Sequence, residues 1–405
     1  MADKWALTDE VVLVHAGSPV SIDGSDQYYP FMPHPDHRYL AACEVPEAVL
    51  AFDAARREWQ MFTPRLTPDE LVWERPPDPI GLPLTELDEW VARRSSRQVM
   101  RGGAGGDPTL AAAIAETRIH KDEAELDALR QAAAFSVRGY EWVFNQVTAG
   151  MTEREVQIGM EAEFFRAGAP RTAYDSIVAG GPNGAVLHFM PTSRVIEPGE
   201  LLLIDAGAAC EGYASDITRT MVVGAEPTDV QRFLWELIRR THEVAIDRCR
   251  PGTEWREIHH GAARTIGAGL IELGLLRGSI DDLVTSGAVA VFFPHGLGHL
   301  IGITVHDAGG YPSGRERSSH PQFRYLRTDR PLEAGMITSV EPGVYFIDAL
   351  LTDPAVRAEH AATINWEMAD SLRSFGGIRI EDDIHITTGE PENLTEAIPK
   401  PVRIG

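Results

Sequence analysis

Cysteine is scarce in this 405-residue chain: Cys43, Cys210 and Cys249, an odd number with no CxxC pair. A disulfide framework and a cysteine-held metal centre are therefore excluded, and a reduced, cytoplasmic setting is expected. Positive charge is also in deficit. Lys and Arg total 37 against 60 Asp and Glu, and the net charge of -23 opposes binding to nucleic-acid phosphates. No run of eighteen apolar residues occurs, so no membrane span is expected. The opening MADKWALTDE has no apolar signal-peptide region. Internal repeats are absent. The one glycine cluster, GGAGGDP, lacks GxGxxG spacing and a following Lys-Ser or Lys-Thr, so it reads as a loop or linker around 101–108 rather than a phosphate cradle. What remains is ordinary. A hydrophobic content of 43% and a charged content of 24% describe a globular chain with a normal core.

The pattern along the chain divides it in two, at 1–118 and 119–405. In the first part EVVLVHAG and EAVLAFDAARREWQMFTP read as strands, and TPDELVWE and TELDEWVARR as helices, which makes a small α/β domain. In the second, Leu126, Leu129, Ala133, Val137, Tyr140 and Phe144 recur at helical spacing over 121–145. Thr152 followed by Glu155 is a capping-box pattern that opens a helix to about 167. Amphipathic helices are expected near 228–250 and 254–274, and strands at 176–179, 201–208, 213–223, 301–306, 336–341, 343–347 and 378–387. The expected fold class is α/β (α+β).

Titratable residues in apolar surroundings carry the chemical signal. FFPHGLGHLIGITVHD holds His295, His299 and His306, and Gly296, Gly298 and Gly302 argue against a helix there. Any one of these histidines alone reads equally as a hydrogen-bonded core residue. In GELLLIDAGAACEGYASDITRTMVV, two strand-like runs flank a CEG turn. Pairing them as a hairpin sets Asp205 and Asp216 within a residue or two of register. Two buried carboxylates side by side need cations, either metal ions or an arginine, with Arg219 and Arg194 as candidates. Glu341 ends the apolar run of MITSVEPGVYF, where an exposed strand end is the alternative. In FGGIRIEDDIHIT, period-two spacing puts Arg379 and Glu381 on one face, and Asp382 and Asp383 read as strand-exit acids. Four carboxylates and a histidine make an oxygen-rich set suited to Mn or Co, with Zn possible. They suit two ions about 3.5–4 Å apart that share carboxylates and sharpen a water for amide hydrolysis.

Asp205, Asp216, His299, Glu341 and Glu381, in this order, resemble the ligand set of the pita-bread metallopeptidases. The resemblance runs from about residue 119 to the end through HGLGHLIGITVHD, EPGVYF and GIRIEDD. SDQYYPFMPHPDHRYL and VPEAVLAFD are similar, more weakly, to the creatinase-type N-terminal domain. The resemblance implies a pita-bread catalytic domain behind a smaller creatinase-like α/β domain. It implies two divalent ions per chain, Mn first among Mn, Co and Zn, with Asp205 on one ion and Asp216 and Glu381 bridging both. His299 and Glu341 complete the second site, and Glu341 is also a proton acceptor. It further implies that His188, His295 and His306 act catalytically, that His188, His306 and Tyr174 line the substrate side, and that Arg379 faces the substrate's terminal carboxylate. Asp26 falls in a loop that reaches a neighbouring subunit in relatives, so a homodimer is expected.

Within that family the domain before residue 119 disfavours methionine aminopeptidase, and the intact ligand set disfavours creatinase. The expected activity is hydrolysis of Xaa-Pro dipeptides, as in prolidase. The alternative is aminopeptidase P, acting on longer peptides. A non-catalytic pita-bread binding protein and promiscuous action on organophosphate esters are further alternatives. A small peptide is the expected partner, with no nucleic acid and no membrane.

Overall fold

The computed structural model describes residues 1–73, 80–94 and 96–405. The chain forms two compact units, Met1–Arg118 and Ile119–Gly405.

The first unit is organised by Val11–His15. Successive side chains of a strand point to opposite faces. Val12 and Val14 join Leu50, Phe52, Leu110 and Ile114 on one side, while Val11 and Leu13 join Val49, Ala51 and Phe62 on the other. A sheet covered on both faces needs an unbroken apolar run, and VVLV supplies it. The sheet has five strands, in the order Leu82–Pro83, Glu58–Thr63, Val49–Asp53, Val11–His15, Val99–Gly102. The central pairings are antiparallel and the two outer ones parallel. TPDELVWE does not form the expected helix: only a 3-10 turn, Glu70–Val72, is present, and Glu74 lies outside the described residues. The glycine cluster carries the chain from strand Val99–Gly102 into helix Pro108–Arg118, inside this unit.

The second unit builds its sheets from short strands. Arg403–Ile404, Thr218–Val223, Leu201–Asp205 and Ile177–Gly180 form one sheet, in that order. Its odd and even residues again serve two cores. Leu202, Ile204, Met221 and Val223 pack with helices Glu123–Gln146 and Glu153–Ala167. Leu201 and Val222 pack with helices Asp229–Asp247 and Trp255–Glu272. The Thr152–Glu155 capping box is present, and so are equivalents at Asp122–Glu125 and Thr228–Gln231. Strand Ile337–Val340 pairs with Asp382–His385, and Gly343–Tyr345 with Gly377–Arg379. A bridge from Thr218 to Glu381 links these strands to the larger sheet.

The expected strand at 301–306 is absent. The chain turns back on itself there: Gly302 N–H donates to Thr304 O and Asp307 N–H to Leu300 O. Asp307 closes the loop with a buried ion pair to Lys121 at 2.9 Å. A Cβ on Gly302 would fall 2.1 Å from the Asp307 carboxylate, so only glycine fits.

Asp53 is the charged residue to test in the first unit. It is fully buried and accepts from Arg94 Nε at 2.7 Å and Arg97 Nη1 at 2.5 Å. Burial raises its carboxyl, but the two arginines more than offset this and leave it below the usual value. A depressed carboxylate contributes stability above the unfolded-state pKa and loses it as pH falls. Asp53→Ala should therefore lower stability at pH 7 by about 3 kcal/mol, measured by urea unfolding of the full chain. The difference from the parent should shrink as pH drops below about 4.

Candidate active site

Strand pairing assembles the carboxylates. Asp205 is the last residue of its strand and lies opposite Thr218, so Asp216 falls two positions beyond the register. The turn between them is tight because Glu211 and Gly212 both adopt positive φ. Tyr174 ties the two acids together: its hydroxyl lies 2.6 Å from Asp205 Oδ1 and 2.6 Å from Asp216 Oδ1. Glu381 reaches the same place through its bridge to Thr218, whose Oγ1 donates to Glu381 Oε2 at 2.6 Å. Glu341 follows strand Ile337–Val340. The 294–299 segment approaches this strand closely, with Ser339 N–H donating to His299 O and Glu341 N–H to Leu297 O. His299 Nε2 then sits 3.3 Å from Asp216 Oδ2 and 3.7 Å from Glu341 Oε1. Asp216, His299 and Glu381 place one ligand atom each within 4.8 Å of one another, a geometry that can hold a metal ion.

The electrostatics are those of a cation site. Burial, then the carboxylates of Asp216, Glu341 and Asp205, push Glu381 well above the usual range. Burial lifts Glu341 to about 7 and also raises Asp205, against the pull of Arg379. Asp216 differs. Burial raises it too, but hydrogen bonds from His299 and Tyr174 leave it below its ordinary value. Burial lowers His299, yet Asp216 and Glu341 outweigh it and the imidazole is raised. The negative charge exceeds what Arg379 and His299 balance, so divalent cations fit this donor set.

The arginines that could have neutralised the aspartates do so only in part. Arg194 pairs with Glu200, and Arg219 with Asp382. Arg379 is the one that reaches a site carboxylate, with Nη2 2.6 Å from Asp205 Oδ2. Its Nε donates to Thr218 Oγ1 and its Nη1 to Tyr345 OH, so the fork expected for a substrate carboxylate is largely spent on the protein. Asp382 and Asp383 are not strand-exit acids. Both are buried, Asp382 against Arg219 and Lys400, and Asp383 accepting the Asp216 N–H at 3.0 Å.

The three remaining histidines differ in availability. His295 lines the cavity, but its Nδ1 meets Gly296 O at 2.8 Å and its Nε2 meets Tyr345 OH at 2.9 Å. Burial, helped by Arg379, lowers it to about 3, so it is a neutral ring with both nitrogens engaged. That is at odds with a free catalytic role for His295. His306 stands edge-on to His299, ring centroids 4.4 Å apart, and His188 faces the same cavity. Among the described residues, neither His188 nor His306 donates or accepts a ring hydrogen bond with the protein.

These groups open into a cavity of about 940 Å³. Arg327, which sequence reasoning missed, lines it. Its guanidinium is exposed and makes no ion pair or hydrogen bond with the described residues. Nothing in its spacing from the ligand-like residues singled it out, since it sits in the irregular stretch after 307. Asp175, also exposed, lines the same cavity. Asp26 is an exposed residue of the first unit.

Comparison with known proteins follows this geometry. Residues 127–388 match metallopeptidase family M24, and 4–80 match the aminopeptidase P N-terminal domain. A probable Xaa-Pro aminopeptidase of Botryotinia fuckeliana is 32% identical, covering 96% of this chain and 90% of its own. The Xaa-Pro dipeptidase of Homo sapiens is 38% identical over 71% of this chain and 59% of its own. Among solved structures, aminopeptidase PepP of Pseudomonas aeruginosa has a TM-score of 0.83 at 28% identity, covering 99% of this chain and 94% of its own. Aminopeptidase P of E. coli has a TM-score of 0.82 at 27% identity, covering 98% and 94%.

One contact in this site is testable alone. A Cβ on Gly298 would lie 2.0 Å from Ser339 O. Gly298→Ala should push the 294–299 segment off its strand, lower stability by about 1–3 kcal/mol in thermal melts, and displace His299. A variant with the parent's melting temperature would show that the segment tolerates the shift.

Proposed function

Because this chain belongs to metallopeptidase family M24, with the mixed α/β pita-bread architecture of that family, we propose that it hydrolyses Xaa-Pro peptide bonds and prefers dipeptides. The family implies divalent metal ions. Asp205, Asp216, His299, Glu341 and Glu381 would hold them, two per chain, with Mn the expected metal. When bound there, such ions polarise the scissile carbonyl and lower the pKa of water toward neutrality.

The residues supply the rest. Tyr174 fixes the spacing of Asp205 and Asp216 through one hydroxyl. Glu341 is placed to accept a proton from the attacking water. His188 and His306, with ring nitrogens not engaged by the protein, would donate to the developing oxyanion and return a proton to the leaving proline nitrogen. His295 would act indirectly, by holding Tyr345.

The observation that carries the dipeptide preference is Arg327, a cavity-lining cation whose side chain has no ion pair or hydrogen bond among the described residues. A dipeptide places its carboxylate two residues from the metals, and a guanidinium matches that group bidentately. This role moves from Arg379 to Arg327, while Arg379 becomes a support for Asp205. Aminopeptidase P activity is the second reading. It is favoured by the full-length likeness to proteins named Xaa-Pro aminopeptidase and to aminopeptidase P structures. Dimer formation and a cytoplasmic location belong to the same proposal.

Kinetics on a series of Xaa-Pro, Xaa-Pro-Xaa and longer peptides should give the highest kcat/KM on the dipeptide. Faster turnover of the tripeptide would reverse the order in favour of aminopeptidase P. Arg327→Ala should cut dipeptide kcat/KM by roughly ten- to hundred-fold, mostly through KM, from the loss of a charged hydrogen bond worth about 1.5–3 kcal/mol. The same change should spare Xaa-Pro amides. Arg379→Ala should harm both substrates alike. Asp216→Ala should lower bound metal, read by elemental analysis, as well as turnover.

A further inference from the structure

His188 sits in an excursion of the chain that leaves strand Ile177–Gly180 and returns near Thr192. One carboxylate contacts both ends of that excursion, and at the return end Arg154 adds its N–H to Thr192 O and its Nη2 to Pro191 O. Glu153, in the first turn of helix Glu153–Ala167, is fully buried. Its Oε1 accepts from Gly180 N–H at 2.9 Å and Asn183 Nδ2 at 2.8 Å, at the start of the excursion. Its Oε2 accepts from Thr192 N–H at 3.1 Å and Thr192 Oγ1 at 2.7 Å, at the end. The nearby guanidinium of Arg194 is spent on Glu200. Neutral donors alone therefore satisfy Glu153, and all of them belong to the excursion.

From these contacts we infer that Glu153 is a positioning residue for His188, clamping both ends of the 180–192 segment so that the imidazole is presented to the cavity. The inference rests on His188 acting in catalysis, as proposed above. Between the clamped ends, Leu187 and Phe189 pack onto Ile177, Ala179, Leu203 and Tyr345. His188 lies between these two anchors and lines the cavity it shares with His295 and His306. A buried carboxylate with four donors is a stiff joint, because charge-assisted hydrogen bonds are about twice as strong as neutral ones. Loss of one oxygen acceptor leaves a donor of the segment facing a donor and loosens the clamp, with only the Arg154 bonds to Thr192 O and Pro191 O unchanged at the return end.

The test is a double-mutant cycle on the metal-loaded full chain. Glu153→Gln should lower kcat on an Xaa-Pro dipeptide by ten- to hundred-fold, the size expected for a misplaced catalytic group, with KM and bound metal changed little. In a His188→Ala background the same change should have almost no further effect on kcat, because the positioned group is gone. Thr192→Val keeps Glu153 and removes one donor, so it should show the same dependence on His188 at smaller size even if Glu153→Gln folds poorly. In metal-free protein labelled at histidine, the His188 ring resonance should shift in both variants. Equal, multiplicative losses with and without His188 would overturn the clamp, and so would unchanged kcat in both variants. Full activity in His188→Ala itself would instead strike the catalytic reading of His188.

Discussion

Four carboxylates crowded into one water-poor pocket are the constraint that the rest of this structure serves. Asp205, Asp216, Glu341 and Glu381 lie close enough that burial and mutual repulsion raise three of the four. Unpaired, such a set is costly in a protein interior. Arginines relieve it little, because among the described residues only Arg379 reaches in and it reaches one oxygen. It braces the acids from behind instead. Thr218 donates to Glu381, the single Tyr174 hydroxyl lies 2.6 Å from each aspartate, and the Asp216 backbone donates to Asp383. Held this way, Asp216 and Glu381 converge with His299 to within 4.8 Å, and the bracing around them is the kind that orients metal ligands.

The histidines divide by the same logic. Around the site, those with both ring nitrogens engaged shape the backbone, and His188 and His306, whose ring nitrogens no described residue engages, line the cavity. His259 is fully buried, accepts the Leu297 N–H at 3.1 Å and meets Gln322 O at 2.7 Å. Burial lowers it to about 4, so it is a neutral strut between the loop that carries His295 and His299 and the loop that leads to Arg327. His295 belongs with it, through Gly296 and Tyr345. His188 and His306 belong to the other class, lining the cavity with ring nitrogens that no described residue engages.

Much of this was legible in the sequence, for definable reasons. Apolar runs and capping boxes depend on neighbours in the chain, so the helices starting near 123 and 153 and the strands around Asp205 and Thr218 could be placed. The hairpin register that brings Asp205 near Asp216 was also readable, since a tight turn leaves little freedom. Alternation along a strand gives the face of Arg379 but not its partners, which are Asp205, Thr218 and Tyr345. Arg327 was invisible because irregular backbone has no period to read. The 301–306 segment looked like a strand by composition, yet a buried Lys121–Asp307 pair, 186 residues apart in the chain, bends it into a loop. Contacts of that range are not written in any local window. The contact of His295 with Tyr345 was hidden for a similar reason, since the two lie 50 residues apart.

Arg219 spends all its donors on a narrow strip of the molecule. Nε donates to Pro399 O, Nη1 to Thr218 O and Glu381 O, and Nη2 to Asp382 Oδ1 and Ile398 O. Lys400 adds a link to Asp382, and Arg403–Ile404 closes the sheet edge beside Val222 and Val223. The last stretch of chain is thus wired to the peptide that carries Glu381. Trimming by a protease within 398–404, or a bulky insertion there, would act on the reaction centre from a distance, although no residue of the stretch lines the cavity.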